Sequence, residues 1–138
     1  RQRQMCKETD QIIIYNNQSP FTGAIVVPNR DALRRELDAR DIREGRAAAA
    51  ADILGAEIDR YRAGGPYAGE FPERWLPAGL AIVDEPFTEQ NGLINSTMKI
   101  VRNKVEEYFR DRIDYLYTPE GRELRNDKNL ASLRKMVE

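Results

Sequence analysis

The chain has 138 residues, 41% hydrophobic and 33% charged, with 22 Lys and Arg against 23 Asp and Glu. That length suits one domain able to bury a single core, and the near-balanced charge implies no polyanion-binding surface, so no nucleic-acid partner is expected. The absence of histidine excludes imidazole triads, imidazole metal ligands and imidazole general bases, leaving Lys, Arg and carboxylates to do any chemistry. The single cysteine, Cys6, can form neither an internal disulfide nor a tetrahedral zinc site, which fits a reducing, cytoplasmic setting. No apolar run approaches the roughly 20 residues that span a bilayer, and the opening Arg1-Gln2-Arg3-Gln4-Met5 lacks the apolar centre of a signal peptide. A soluble chain is expected, and its start without an initiator Met leads to the expectation of a fragment of a longer protein.

In chain order, residues 11–15 carry Ile12, Ile13 and Ile14, residues 22–27 are again apolar and β-branched, and Asn16-Asn17-Gln18-Ser19-Pro20 lies between them. This pattern predicts a β-hairpin. Asn29 is placed to cap a helix over residues 30–40, with Asp31 favourable in its first turn and Leu33 and Leu37 on its buried face. A second helix is predicted over residues 41–63, where Ala47, Ala50, Ala51, Leu54, Ile58 and Tyr61 recur at three- and four-residue steps before Gly64-Gly65-Pro66. Residues 67–77, rich in Gly, Pro and aromatics, read as an ordered connector.

Residues 79–83 form an apolar run of strand length that should join the hairpin's sheet. After a loop over 87–97, a last long helix is predicted over 100–117, with Val101, Val105, Tyr108, Phe109, Ile113 and Leu116 on one stripe, ended by Thr118-Pro119-Glu120-Gly121. The tail, 122–138, carries Leu124, Leu130, Leu133 and Met136, enough for a short amphipathic helix that needs a partner. The sum is a single α+β domain over 1–138, a two- to three-stranded sheet packed by three to four helices, with 118–138 as its tail.

The segment most able to carry chemistry is Asn91-Gly92-Leu93-Ile94-Asn95-Ser96-Thr97-Met98-Lys99. Two readings are open. In one, Asn91-Gly92 closes a turn, Ser96 or Thr97 caps the last helix, and Lys99 is a solvated side chain in its first turn. A cation there faces the positive end of the helix dipole. In the other, the loop presents Lys99 as a mobile point charge for a transient phosphate or carboxylate.

The run Asp84-Glu85-Pro86-Phe87-Thr88-Glu89-Gln90-Asn91-Gly92-Leu93, followed by Thr97-Met98-Lys99 and Arg102, resembles the C-terminal signature of AMP-forming long-chain acyl-CoA synthetases, the fatty-acid–CoA ligases. That signature reads DEPFT…NGLLTPTxKxKR before a helix carrying EEY and LY. Glu106-Glu107-Tyr108 and Leu116-Tyr117 occupy those places. Upstream, Ile12-Ile13-Ile14-Tyr15 and Gly23-Ala24-Ile25-Val26-Val27-Pro28 look like the family's paired strands, so the resemblance extends over about three quarters of the chain. Two positions depart from the pattern: Asn95 stands where Thr is common, and Val101 replaces a second basic residue.

The resemblance implies the mobile C-terminal lid domain of an adenylate-forming enzyme, whose large N-terminal domain would be this chain's partner. The whole enzyme would join a fatty acid to ATP as acyl-AMP, releasing pyrophosphate, and then transfer the acyl group to coenzyme A. Lys99 would be catalytic in the first half-reaction, with Asn91, Gly92, Thr97 and Arg102 on a loop near substrate and nucleotide. ATP, Mg2+ and coenzyme A would belong to the whole enzyme, with nothing bound to this fragment and no metal ligand on it. The fragment alone is expected to be inactive, and the whole enzyme is compatible with peripheral membrane association. The rival expectation is a non-enzymatic α+β interaction domain whose charged helices dock a partner protein, with Lys99 incidental.

Overall fold

The computed structural model describes residues 9–16, 21–59 and 77–138. Three strands, β1 (Thr9–Tyr15), β2 (Gly23–Pro28) and β3 (Gly79–Ile82), form a sheet in the order β1-β2-β3. β1 and β2 pair antiparallel, with Ile13 opposite Ile25, as the hairpin pattern predicts. β3 joins the other side of β2 in parallel, Gly23 opposite Gly79. A parallel neighbour needs a crossover, and α1 (Arg30–Ala39) and α2 (Arg46–Asp59) lie in that connection. Then follow α3 (Arg102–Tyr108), α4 (Arg110–Leu116) and α5 (Asp127–Val137).

Side chains alternate across a strand, and here both faces are covered. Ala24, Val26, Leu80 and Ile82 pack with α1, α2 and α5, whereas Ile13, Tyr15, Ile25, Val27, Ala81 and Val83 pack with Phe87, Leu93, Ile94, α3 and α4. Burial on two faces explains why β2 and β3 read as continuous apolar runs rather than alternating ones. The architecture is the expected α+β class. Five helices are present among the described residues rather than three or four.

Local chemistry explains where the helices depart from expectation. α1 is capped as predicted, the Asn29 Oδ1 accepting from Ala32 N–H at 3.1 Å. Its other end is a Schellman motif: Asp41, at φ 56°, donates to Asp38 O, and Ile42 N–H donates to Leu37 O at 3.0 Å. Asp41 therefore ends α1 and does not begin α2, which starts at Arg46 after Gly45 at φ 63°. The predicted end of that helix and most of the 67–77 connector lie outside the described residues.

The long helix expected over 100–117 starts at Arg102 and is divided at Phe109, whose backbone sits at φ −105°, ψ 26°. Its i→i−4 bonds continue across the break, Phe109 N–H to Val105 O and Ile113 N–H to Phe109 O. Val105, Phe109, Ile113 and Leu116 of the expected stripe are buried, whereas Tyr108, also placed on it, is 49% exposed and Val101 is only partly buried.

The tail is a core element. Leu133, Met136 and Val137 of α5 are buried against α1, α2 and the sheet. The side chain of Asn129, wholly buried, completes the outer edge of β3: its Oδ1 accepts from Ile82 N–H at 2.8 Å and its Nδ2 donates to Leu80 O at 2.9 Å. The same amide donates to Leu124 O and accepts from Arg112 Nη2. Burial holds the Arg112 guanidinium below its ordinary value, and a bond to Asn129 satisfies part of its charge. No helix among the described residues is long and apolar enough to cross a membrane.

Candidate functional site

The segment between β3 and α3 folds on the sheet face opposite α1, α2 and α5, anchored by three buried side chains, Phe87, Leu93 and Ile94. Both of its ends are tied to β1. At the start, the Gln11 carboxamide brackets Phe87, donating to its carbonyl at 3.1 Å and accepting from its N–H at 2.8 Å. At the end, both terminal nitrogens of Arg102 donate to Ile14 O, one at 2.8 Å.

Between those ties lie two turns. Asn91 builds the first: its Oδ1 accepts from Thr88 N–H at 3.0 Å and Leu93 N–H at 3.2 Å, and its Nδ2 donates to Pro86 O at 2.9 Å and Glu85 Oε2 at 3.2 Å. Gly92 follows at φ 79° with nothing within 4 Å of a would-be Cβ, so the backbone angle alone calls for glycine. Glu85 also accepts from the Tyr108 hydroxyl, linking this turn to α3. That hydrogen bond raises the Tyr108 hydroxyl above its ordinary value.

The second turn carries Lys99. Ile94 and Ile100 form an antiparallel bridge, and Val101 N–H donates to Leu93 O at 2.8 Å. Asn95 closes the tip, its Oδ1 accepting from Thr97 N–H at 3.0 Å, Thr97 Oγ1 at 2.8 Å and Lys99 N–H at 3.0 Å. Asn95 N–H donates to Lys99 O at 2.9 Å, and Met98 N–H returns to Asn95 O at 2.9 Å. Met98 occupies the left-handed region at φ 65°, with its side chain 70% exposed.

Lys99 therefore does not lie in the first turn of a helix. Val101 is the N-cap of α3 and makes no side-chain cap bond, so neither Ser96 nor Thr97 caps that helix. The conflict with the helix dipole expected from sequence does not arise. Lys99 projects from a tight turn, exposed, with no hydrogen bond or ion pair of its ammonium among the described residues.

The candidate residues fall into two groups. Asn91 and Thr97 use their polar groups to shape the turns, Gly92 supplies a backbone angle, and Arg102 holds β1. Lys99 alone presents an unengaged charge. Sequence reasoning passed over Gln11, Glu85 and Asn95 as builders of this site. Asn95 carried a usable signal, because an Asn followed by Ser and Thr favours a side-chain-closed turn. The links from Gln11 to Phe87 and from Glu85 to Tyr108 cross long sequence separations and had no local signal. Among the described residues no group of three or more Cys, Asp or Glu could hold a metal ion.

No family model matches the chain. It is similar to "Probable acyl-activating enzyme 16, chloroplastic" of Arabidopsis thaliana, 30% identical over 115 residues, covering 78% of this chain and 14% of that protein. It is also similar to "Long chain acyl-CoA synthetase 8" of the same plant, 25% identical over 111 residues, covering 78% of this chain and 15% of that one. Among solved structures, the adenylation domain of a carboxylate reductase from Mycobacterium chelonae superposes with a TM-score of 0.56 at 26% identity, covering 80% of this chain and 16% of that chain. The chain thus spans about one seventh of the length of the curated relatives it matches.

Proposed function

We propose, because the chain belongs to the adenylate-forming enzyme superfamily as a C-terminal fragment, that it serves as the lid that brings Lys99 to the reacting groups in acid activation. The single observation that carries this reading is the Lys99 side chain: exposed, unpaired among the described residues, and mounted on a turn closed by the Asn95 carboxamide. In the proposed reaction an acid's carboxylate oxygen bonds to the α-phosphorus of ATP, and the bond to the pyrophosphate leaving group breaks. Acyl-AMP and pyrophosphate result. A cation placed between the carboxylate and the α-phosphate draws two anions together, and in a closed, dry site it acts far more strongly than in water. Mg2+ would neutralise the leaving phosphates, and we assign it no ligand on this chain.

For the second half, the likeness to a protein named long chain acyl-CoA synthetase supports a fatty acid as the substrate and coenzyme A as the acyl acceptor. The likeness to a carboxylate-reductase adenylation domain favours a second reading, in which the same adenylation step serves reduction of a carboxylic acid. Both readings share Lys99.

The test is Lys99→Ala in the full-length protein. ATP–pyrophosphate exchange should fall on the order of a hundredfold or more, while thioester formation from supplied acyl-AMP should persist. Equal loss in both half-reactions would refute the assignment. Supplying coenzyme A or a reductant after adenylation would separate the two readings.

A further inference from the structure

We propose that Asn95 is the positioning residue for Lys99, acting through the backbone of the turn and never touching substrate; this rests on the role of Lys99 proposed above. One side-chain oxygen, Asn95 Oδ1, gathers Thr97 N–H, Thr97 Oγ1 and Lys99 N–H within 2.8–3.0 Å. Two backbone bonds between Asn95 and the residues it faces, Lys99 O and Met98 N–H, complete the closure. The turn is rooted in the core below it, through buried Leu93 and Ile94 and the Ile94–Ile100 bridge.

Fold stability does not call for this arrangement. Residues 95–99 are all exposed, so the Asn95 carboxamide seals no core and supports no buried packing. Met98, next to Lys99, is held at φ 65°, a conformation that a residue with a Cβ adopts only when its surroundings impose it. The hydrogen bonds converging on Asn95 are what impose it here. The result is a fixed direction for the Lys99 Cα–Cβ bond. A lysine ammonium sits at the end of a flexible four-carbon stem, so the direction at its root decides which volume it can sweep. Placement errors of about 1 Å at reacting groups cost on the order of a hundredfold in rate.

The experiment uses the full-length protein with Asn95→Ala, Asn95→Asp, Lys99→Ala and the Asn95→Ala/Lys99→Ala pair, each read by ATP–pyrophosphate exchange and by thioester formation from supplied acyl-AMP. Asn95→Ala should lower exchange about ten- to a hundredfold and leave the second half-reaction within twofold of the parent. Asn95→Asp retains an acceptor oxygen at the same place and should recover most of the exchange. In the Lys99→Ala background, Asn95→Ala should add no further loss, because there is no ammonium left to aim. Three results would overturn the inference while leaving the role of Lys99 intact: full exchange by Asn95→Ala beside an inactive Lys99→Ala, no recovery by Asn95→Asp, or equal damage by Asn95→Ala to both half-reactions. A Lys99→Ala enzyme with full exchange would instead remove the reading on which the inference rests.

Discussion

Replacing Asn129 by Leu removes four polar contacts without opening a cavity, and its cost follows from what is left behind. Ile82 N–H and Leu80 O lose their partner at the edge of β3, where Ile82 is 0% and Leu80 5% exposed, so water cannot replace it. Each orphaned buried group costs about 1–3 kcal/mol, giving about 2–6 kcal/mol for the two. Leu124 O and Arg112 Nη2 also lose a partner, but those residues are only partly buried and add less. A domain's entire stability is about 5–15 kcal/mol, so the loss is a large share. With a urea dependence of about 2 kcal/mol per molar, the unfolding midpoint should fall by roughly 1–3 M at unchanged slope. Asn129→Asp keeps the acceptor for Ile82 N–H and Arg112 but loses both donations, so it should fall between the parent and Asn129→Leu. Equilibrium urea unfolding followed by circular dichroism measures all three. A loss below about 1 kcal/mol for Asn129→Leu would refute the view that this amide completes the sheet edge.

Gly121→Ala should destabilise the chain by about 2 kcal/mol or more, because a Cβ there would overlap the Tyr115 carbonyl oxygen, and the end of α4 would have to move; a thermal melt reads the shift. Tyr108 and Tyr115 should ionise above the ordinary value of 10.0, Tyr108 chiefly through its hydrogen bond to Glu85 and Tyr115 chiefly through burial. Their neutral forms are favoured in the folded state, so this contribution to stability is present below pH 10 and lost as pH rises through the folded value. Ultraviolet titration of tyrosinate in the parent, Tyr108→Phe and Tyr115→Phe should show a late component removed by each change, and unaltered curves would contradict it.

What could be read from sequence was what local chemistry decides. The hairpin, with its isoleucine run and turn-forming residues, and the Asn29 cap of α1 depend on neighbours a few residues apart. The start of α2 was misplaced because Asp41 suits a helix N-terminus equally well, and its left-handed angle reflects the packing of Ile42 and Leu37. The division at Phe109 left no mark on periodicity, since the buried stripe runs through it. α5 looked marginal because an amphipathic face gains its stability from what covers it, and α2 and the sheet are distant in sequence. The residues around Lys99 mark its segment by resemblance alone, whereas its position before the helix, rather than in its first turn, depends on Asn95 closing a turn and Ile94 meeting Ile100.

The two ties of residues 87–102 to β1, at Gln11 and at Ile14, give that segment a hinge-free base. A long loop held at one end sways about its root, and a load applied to its tip is lost in bending. Held at two points on one strand, it is mounted as a bracket is, and Lys99 stands on the part between the two fixings. β1, far from Lys99 in sequence, is therefore the strand on which the Lys99 segment is mounted.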